Sequence, residues 1–422
     1  MKVGLINPPL PESAYQDMDI KDIKSTSPPL GLLSIASNLR KYGVTVSIHD
    51  GDPIDLDCDV YGITAMTINF NNAVRVAKSL KAIGKTVILG GCHASAMYED
   101  IKKKYSCFDE VIQGEGETKF CRYLGIPVPD VSDLDQLPFP SFDLVDMGRY
   151  NLSPFGTKSK KSFGLVSSRG CYGKCTFCSS CVFGKKIKKH SASYIISLMR
   201  YLRDSYQVTD FLFYDDLFVA DKSRLIDFCK LSKEEGFTWS CCSRVDSIDK
   251  NLLHEMKRSG CHLIEFGIES GSQRILDLMQ KGINKAQIWD ALEWTKEAGI
   301  TSKGNFILGY LGDDDKTTEE TIQFACELPL DYAQHTFYTP LPGSEDWMRA
   351  PKFGKVSSSL DDCSTFGINF VPSGMSKDDL LHHSRTFYRK FYLRPSRIFS
   401  YLLENPRRLV HGFNAFRKIA FH

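Results

Sequence analysis

A chain of 422 residues is longer than one ordinary domain, so its length predicts two domains and an appendage. Hydrophobic residues make up 42% and charged residues 25%, values close to globular averages, which excludes a disordered or fibrous chain. The 53 basic and 51 acidic side chains nearly cancel, so the whole molecule has no general electrostatic preference for nucleic acid or membrane.

The opening residues and the cysteines indicate the compartment. The segment MKVGLINPPLPES lacks the apolar core of a secretory leader, and no uninterrupted apolar stretch is long enough to span a bilayer. Fourteen cysteines spread over so long a chain do not form the pattern of a disulfide scaffold. We therefore expect a reducing, cytoplasmic environment.

Residues 1 to 125 are predicted to form a first domain. Short apolar runs alternate with amphipathic segments in the order KVGLINPP, LGLLSIASNLRKYG, VTVSIHD, DVYGITAM, NAVRVAKSLKAIG and KTVILGG. This rhythm predicts βαβ units around a Rossmann-like parallel sheet that is buried on both faces. Loops at the carboxyl ends of such strands are free to hold a ligand. Here these loops are Pro8-Pro9 and residues 64 to 67, 90 to 95 and 114 to 117.

Residues 126 to 160 contain PVPDV and LPFPSF without a sustained period and are predicted to be a proline-rich linker. The βα rhythm then returns in FGLVSS, DFLFYDD, TWSCCSRVD, HLIEFGIES, SKGNFILGYLG and DYAQHTFYTPLPG. These units predict a full or partial βα barrel of the TIM type over residues 161 to 350. The predicted fold class is thus α/β, with a parallel sheet followed by a barrel and a helical carboxyl-terminal appendage.

The appendage, residues 351 to 422, ends in a basic and aromatic segment. From Arg385 to Lys418 there are nine Lys or Arg against one acid, Glu404. The interleaved aromatic residues are Phe387, Tyr388, Phe391, Tyr392, Phe399 and Tyr401. We favour a structural lid on the barrel mouth, because charge runs are usually solvated faces. Peripheral contact with an anionic membrane is the alternative.

The segment SSRGCYGKCTFCSS places Cys171, Cys175 and Cys178 in Cys-x3-Cys-x2-Cys spacing just after a predicted strand. Three thiolates can ligate three irons of a 4Fe-4S cubane, whereas an electron carrier usually closes every iron with four. The open iron could chelate S-adenosylmethionine, whose reductive cleavage yields methionine and a 5'-deoxyadenosyl radical. Two alternatives use Cys181 as a fourth ligand, in a zinc site or in a closed electron-transfer cluster.

With Phe177 directly before its last cysteine, this loop resembles the hallmark of the radical S-adenosylmethionine superfamily. The ends of the later strands also resemble those of the superfamily, in the same order, across roughly residues 163 to 345. The resemblance implies roles for further residues. Asp216, with Asp215 as second choice, would help to hold the methionyl amine of S-adenosylmethionine.

Three later strand ends complete the implied site. Arg244 in SRVD would pair with the methionyl carboxylate, as a bidentate guanidinium can, and a surface ion pair is the alternative. Glu269 in GIESG would bind the ribose hydroxyls. In GNFILGYLG, Gly304 and Gly309 would permit close approach of the adenine.

In the first domain, the ordered motifs INPP, PPLGLLSIASNLRKYG, DVYGITAMT, ILGGCHAS and QGEGE resemble the cobalamin-binding domain of a radical S-adenosylmethionine subgroup. A sheet edge with small residues and hydroxyls suits a flat corrin. The residues that provide such an edge are Thr64, Thr67, Gly90, Gly91 and Ser95. A sheet that binds a nucleotide, or has lost its ligand, is the alternative.

The lower axial ligand of cobalt is the open question of this domain. An Asp-x-His-x-x-Gly motif, which would supply an axial histidine, does not occur in the sequence. His93 in GGCHAS is the nearest candidate, but an unforced loop histidine more often makes a hydrogen bond, so we expect it to shape the site. Cys92 stands where the resemblance leads us to expect proline.

Radical formation and cobalamin in one chain point to transfer of a methyl group to an unactivated carbon, with the cofactors carrying the chemistry. The resemblance implies that one S-adenosylmethionine methylates cobalamin, and that a second yields the radical that activates the substrate for attack by methylcobalamin. A cyclisation or rearrangement without methyl transfer and a non-catalytic cobalamin or redox sensor are the alternatives. The expected partners are a small-molecule or natural-product substrate, bound between the domains, and an external flavodoxin- or ferredoxin-type electron donor, but no nucleic acid.

Overall fold

The computed structural model describes residues 1–11, 27–150, 161–364 and 367–394. Part of the predicted linker, residues 151 to 160, lies outside the described residues. So does the basic tail beyond residue 394, and with it Phe399 and Tyr401.

The first sheet has five parallel strands in the order β2-β1-β3-β4-β5. The strands are β1 (Lys2–Asn7), β2 (Thr45–Asp50), β3 (Val60–Thr64), β4 (Thr86–Gly90) and β5 (Glu110–Val111). The helices are α1 (Leu30–Lys41), α2 (Phe70–Ala82), α3 (Cys92–Ala96), α4 (Tyr98–Lys104) and α5 (Gly116–Tyr123). Apolar clusters around Phe70 and around Phe120 cover opposite faces, so the prediction of a sheet buried on both sides is confirmed.

The segment from residue 126 to residue 150 lies against α1. It carries three short 3-10 turns, Leu134–Gln136, Phe142–Leu144 and Met147–Arg149. The Ser141 amide donates to the Leu33 carbonyl at 3.1 Å, and Arg40 pairs with Asp143 at 2.8 Å. These contacts tie the segment to the first domain, while the predicted boundaries at residues 125, 160 and 350 stay predictions.

The second sheet has six parallel strands in the order β13-β12-β11-β10-β9-β6. The strands are β6 (Ser162–Leu165), β9 (Asp210–Phe213), β10 (Thr238–Ser243), β11 (Cys261–Glu269), β12 (Thr301–Leu308) and β13 (Tyr332–Phe337). A small antiparallel ladder of β7 (Ser168–Arg169) and β8 (Lys188–Lys189) follows β6 in the chain. Because β6 and β13 are the edges of the sheet, the predicted barrel is a partial one.

Helices cover one face of this sheet. They are α6 (Ala192–Tyr206), α7 (Lys222–Glu235), α8 (Lys250–Arg258), α9 (Gln273–Leu278), α10 (Lys285–Glu297) and α11 (Asp315–Glu327). Residues on the helix side, such as Ile264, Phe266 and Phe306, are almost fully buried. The alternating burial along β12 shows that its other face, the concave face of the partial barrel, is less covered.

The described part of the appendage contains α12 (Asp346–Arg349), the hairpin of β14 (Gly354–Val356) with β15 (Phe370–Pro372), and α13 (Lys377–Tyr392). Ser376 and Asp379 form a capping box at the start of α13. Phe387 and Phe391 are fully buried in the barrel core. The predicted fold class is thereby confirmed. Within the described ranges, no helix has both the length and the hydropathy of a membrane span.

Candidate active site

The cysteine loop begins directly after β7, and backbone geometry closes it. Gly170 has a φ of 91°, and a Cβ at this position would lie 2.5 Å from the Lys186 carbonyl oxygen. Only glycine fits both the positive φ and the close approach. The ladder of β7 with β8 thus brings the two ends of the cysteine segment together.

The three predicted cluster cysteines lie around one small space. A Cβ added to Gly173 would lie 3.3 Å from Cys171 Sγ and 3.8 Å from Cys175 Sγ. The amide of Cys178 donates to the Cys175 carbonyl at 3.2 Å, so a tight turn brings the third cysteine to the second. These thiols could hold three irons of a cubane, each iron taking its own thiolate.

A zinc ion would need its ligands to converge on one point. Among the residues that the structure describes, no three His, Cys, Asp or Glu side chains are grouped around such a point, and this includes the three loop cysteines. Cys181, the fourth ligand of both alternatives, lies 3.3 Å from the Cys92 carbonyl oxygen in the first domain. Only this contact of Cys181 with the first domain distinguishes the three-cysteine cluster from the two four-cysteine alternatives.

A buried polar cluster anchors the middle of the loop. The Thr176 hydroxyl lies 2.8 Å from the Tyr310 hydroxyl and 3.1 Å from Asp346 Oδ2, and Tyr310 donates to the same carboxylate at 2.6 Å. The Thr176 amide also donates to the Met279 carbonyl at 3.0 Å. Phe177 packs edge-on against Tyr310. The sequence indicated Phe177, but it contained no signal for the other members of this cluster.

Asp215 and Asp216 have different environments. Asp215 is buried and accepts hydrogen bonds from the Ser167 amide and hydroxyl at 2.6 Å and from the Ser168 hydroxyl at 2.5 Å. Asp216 is exposed and accepts from the Gly170 amide, directly before the first cluster cysteine, at 3.0 Å. Because the Asp215 carboxylate is engaged in supporting the loop, Asp216 is the better placed of the two for a ligand.

Glu269 lies at the end of β11, where the strand has a bulge. Its φ is 68°, an unfavourable conformation for a residue with a side chain, and such strain is found most often at functional sites. Its buried carboxylate accepts a hydrogen bond from Lys281 Nζ at 2.6 Å. Lys281 is 7% exposed, and its ammonium lies 6.0 Å from the centre of the Phe177 ring. The sequence reasoning missed Lys281, for which the only signal is a lysine beside a glycine in MQKGI.

Arg244 is both an ion-pair partner and a neighbour of the cluster cysteines. It makes a bidentate pair with Asp246, at 2.9 and 2.7 Å, and donates to the Lys281 carbonyl at 2.7 Å. Its Nη1 also lies 3.8 Å from Cys175 Sγ. The ion pair of the alternative interpretation is thus present, yet it borders the cysteine loop.

The two glycines predicted to face adenine have packing roles. A Cβ on Gly304 would lie 2.7 Å from the Leu330 side chain and 2.9 Å from that of Ile268. Gly309 has a φ of 74°, and Asp313 accepts from its amide at 3.1 Å. These contacts account for both glycines, and contact with adenine stays a prediction.

The carboxyl edge of the first sheet offers small residues. A Cβ added to Gly90 would meet nothing within 4 Å, so the edge is open there. Gly91 has a φ of 97°, and a Cβ would lie 2.7 Å from the Ala65 carbonyl and 2.8 Å from Thr64 Oγ1. The Ser95 hydroxyl accepts from the Gly114 amide at 2.9 Å and so fixes the next loop. This open edge of glycine and threonine fits a flat corrin.

His93 points into the first domain. It is 3% exposed, its Nδ1 lies 3.1 Å from Thr67 Oγ1, and its ring is 4.3 Å from that of Phe70. Burial lowers the pKa of His93 to about 4. This is the environment of a buried, hydrogen-bonded loop residue, and the role of His93 in shaping the cobalamin site stays a prediction.

The open edge of the first sheet contacts the cysteine segment. Besides the contact of Cys181 with Cys92, a Cβ on Gly343 would lie 3.0 Å from the Cβ of Ala96 in α3 and 3.2 Å from that of Cys181. Arg169, two residues before the first cluster cysteine, pairs with Glu115 and Glu117 of the first domain. The two predicted cofactor sites therefore adjoin each other.

Two family models match the chain. The model of the radical SAM superfamily covers residues 165–325, and that of the B12 binding domain covers residues 18–124. The first range contains the cysteine loop and strands β9 to β12 of the second sheet, and the second range contains strands β2 to β5 of the first sheet.

Two curated relatives and one solved structure extend the likeness. An uncharacterized methyltransferase of Pyrococcus horikoshii is 33% identical, over 98% of this chain and 96% of its own length. The anaerobic magnesium-protoporphyrin IX monomethyl ester cyclase of Rubrivivax gelatinosus is 24% identical, over 86% of this chain and 71% of its own. The structure of the cobalamin-dependent S-adenosylmethionine radical enzyme OxsB, with aqua-cobalamin and S-adenosylmethionine bound, covers 95% of this chain and 70% of that one, at 16% identity and a TM-score of 0.71. The chain belongs to the radical S-adenosylmethionine enzymes that carry an amino-terminal B12-binding domain.

Proposed function

We propose that this enzyme is a cobalamin-dependent methyltransferase that adds a methyl group to an unactivated carbon. The observation that carries the proposal is the direct contact between the cysteine segment and the open edge of the first sheet, through Cys181 and Cys92. Methyl transfer of this kind needs a radical source and a methyl source that reach the same substrate carbon. The relative named a methyltransferase, which aligns over nearly the whole chain, supports the proposal.

When bound, the cluster and S-adenosylmethionine supply a radical that removes a substrate hydrogen, and cobalamin supplies the methyl group. In our proposal Cys171, Cys175 and Cys178 hold the cluster. The anchoring of Thr176 by Tyr310 and Asp346 holds the loop still, since a buried, satisfied polar network is rigid.

Four side chains would bind S-adenosylmethionine beside the cysteine loop. Asp216 would accept a hydrogen bond from the methionyl amine. The positive charges of Arg244 and Lys281 would pair with the methionyl carboxylate. Glu269 would accept hydrogen bonds from the ribose hydroxyls, and its hydrogen bond from Lys281 would weaken when they bind. The buried Glu269–Lys281 pair supports this role, because a low-dielectric site strengthens each charged contact that a ligand makes there.

In the first domain, Thr64, Thr67, Gly90 and Gly91 would line the corrin, and the lower face of cobalt would lack a histidine ligand. The hydrogen bond of His93 to Thr67 and its packing on Phe70 support this assignment.

A cyclisation without methyl transfer is the second candidate, because the relative from Rubrivivax gelatinosus is named a cyclase. A sensor is a weaker candidate, since binding cobalamin would not require a three-cysteine loop with a buried Glu269–Lys281 pair beside it. Methyl transfer and cyclisation use the same residues on this chain and differ in their products.

The partners follow from this chemistry. The substrate would be a small molecule, and an external flavodoxin- or ferredoxin-type donor would reduce the cluster. We propose a cytoplasmic location, as the spread of the fourteen cysteines along the sequence leads us to expect. For the appendage we propose the role of a structural lid rather than that of a peripheral membrane anchor. Phe387 and Phe391 are fully buried in the core and are therefore not available to a membrane. Co-sedimentation with anionic vesicles would reveal the membrane contact if it occurs.

The proposal is tested with anaerobically reconstituted enzyme, a chemical reductant, host extract and S-adenosylmethionine labelled in its methyl group. We expect mass spectrometry to find the label in a new carbon-bound methyl group. A new unlabelled product with one ring more than its precursor would favour the cyclase.

A further inference from the structure

The concave face of the second sheet carries a polar group of side chains, which we call the inner polar row. Its members are Cys242 on β10, Glu265 on β11, and Lys303 and Asn305 on β12. Parallel register pairs Glu265 with both Cys242 and Lys303, so these three lie side by side across the sheet. Asn305 follows two residues after Lys303 and so points to the same face.

A closed βα barrel fills its interior with layers of branched apolar side chains. The inner polar row departs from that pattern, since Glu265 and Lys303 form an ion pair of 3.0 Å with side chains 18% and 23% exposed. Their neighbours on the same strands, Phe266 and Gly304, face the buried helix side. Charged groups on the concave face, partly open, are expected where a polar ligand binds rather than where a core packs.

Asn305 has an unmet hydrogen-bonding capacity. Its Nδ2 donates to Glu265 Oε2 at 3.3 Å, while its Oδ1 is buried with no hydrogen-bond partner in the described part of the chain. A buried acceptor without a donor carries a free-energy cost, because it has lost its hydrogen bonds to water and gained none in the protein. A ligand that supplies an N–H or O–H group would remove this cost. Gln334 on β13 pairs in register with Asn305 on β12 and adds a further amide to the same face.

The inner polar row lies within reach of the predicted S-adenosylmethionine site. Gly267 separates the two, because it follows Glu265 by two residues and precedes Glu269 by two. A Cβ on Gly267 would lie 2.5 Å from Glu269 Oε1 and 2.8 Å from Lys281 Nζ. Glu265 and Gly267 are two residues apart along the strand, which is about 6.6 Å, and Gly267 adjoins the Glu269–Lys281 pair. A small molecule on the row could therefore extend a carbon toward the radical source.

We propose that the inner polar row is the substrate-recognition site of this enzyme, and that its substrate is a small, water-soluble molecule with two adjoining groups. A hydrogen-bond donor would bind Asn305 Oδ1 and Glu265, and an anionic group or carbonyl oxygen would bind Lys303. A predominantly apolar substrate would cover the Glu265–Lys303 ion pair with apolar groups and would leave Asn305 Oδ1 without a donor. This inference rests on the proposed function and names its substrate class.

The test separates the small molecules of host extract into a chloroform-soluble fraction and an aqueous fraction retained by ion exchangers. Each fraction is incubated with the reconstituted holoenzyme and methyl-labelled S-adenosylmethionine. We expect a labelled product from the aqueous fraction. With that fraction at limiting concentration, Asn305→Leu and Lys303→Met should each lower the rate of label incorporation about tenfold or more, as loss of a hydrogen bond in a charged site predicts.

Lys230→Met, on the exposed surface of α7, is the matched control and should keep the wild-type rate. Rates are compared only between variants that match the wild type in iron content, cobalamin content and melting temperature. Lys303→Arg should retain more activity than Lys303→Met because it keeps the positive charge. Labelled product from the chloroform fraction alone would overturn the inference while leaving methyl transfer intact. So would wild-type rates in both row variants. No label from either fraction would overturn the proposed function and this inference with it.

Discussion

Arg169 and Glu117 form an ion pair across the boundary between the two domains, with the Arg169 Nη2 and Glu117 Oε1 atoms 2.6 Å apart. Their side chains are only 12% and 8% exposed. Burial alone would raise the pKa of Glu117, but the charge of Arg169 and its hydrogen bond lower it. Glu117 also accepts from Ser34 in α1 at 2.8 Å. The pair therefore links the first domain to the residue two positions before Cys171.

Breaking this pair should destabilise the chain. Arg169→Gln leaves Glu117 buried without a charged partner, and we expect the free energy of unfolding to fall by about 3 kcal/mol. Arg40→Gln is the matched control, since Arg40 pairs with Asp143 at 2.8 Å in an exposed position and should cost less than about 1 kcal/mol. Denaturant unfolding of the two variants checks this prediction, and equal losses would contradict it.

Local motifs predicted the cysteine loop and the strand-end acid Glu269, because each depends on neighbours in the chain. The pair of Arg169 with Glu117 could not be predicted, since the two residues are 52 positions apart and only the fold brings them together. The different roles of Asp215 and Asp216 depend on burial, which two adjacent aspartates in a sequence do not reveal. Lys281 was missed because its approach to Glu269 requires a turn in which Gln280 and Gly282 have positive φ.

We predict that Cys171, Cys175 and Cys178 ligate the iron-sulfur cluster and that Cys181 does not. Reconstituted enzyme should contain about four irons per chain. Cys175→Ala should lose most of the iron and the visible absorption, whereas Cys181→Ala should keep both, because Cys181 contacts the Cys92 carbonyl in the first domain. Iron analysis and absorption spectra measure this. Equal iron loss in the two variants would restore the four-cysteine alternative.

Lys281 is predicted to bind S-adenosylmethionine. Lys281→Met should weaken that binding at least tenfold, because a charge-assisted contact in a buried site is lost. It should also reduce the change that S-adenosylmethionine produces in the paramagnetic resonance spectrum of the reduced cluster. Lys281→Arg should restore part of both. Lys285→Met, four residues along the chain on α10, is the control, and unchanged binding in Lys281→Met would rule out the role.

The pH dependence of stability should contain a contribution from His93. Its pKa is about 4 in the folded chain against an ordinary value of 6.5, so the unfolded chain binds more protons between these values. The stabilisation by neutral His93 is thus complete above about pH 6.5 and is lost as the pH falls toward 4, by about 3 kcal/mol in total. His93→Gln should have a flatter profile of melting temperature between pH 7.5 and pH 5.

Exposed His254 provides the comparison, and His254→Gln should keep the wild-type profile. The same His93→Gln variant tests the lower face of cobalt. Paramagnetic resonance of cobalt(II) in the wild-type enzyme should lack nitrogen splitting from a histidine. A splitting that disappears in the variant would make His93 a ligand and contradict the assignment.

Methyl transfer is tested most directly by counting the two by-products of S-adenosylmethionine during sustained turnover with host extract. We expect S-adenosylhomocysteine and 5'-deoxyadenosine to accumulate together in a ratio near one, because each turnover consumes one S-adenosylmethionine for the methyl group and one for the radical. Sustained 5'-deoxyadenosine with little S-adenosylhomocysteine would contradict methyl transfer and favour the cyclase, and neither by-product beyond a first burst would favour the sensor.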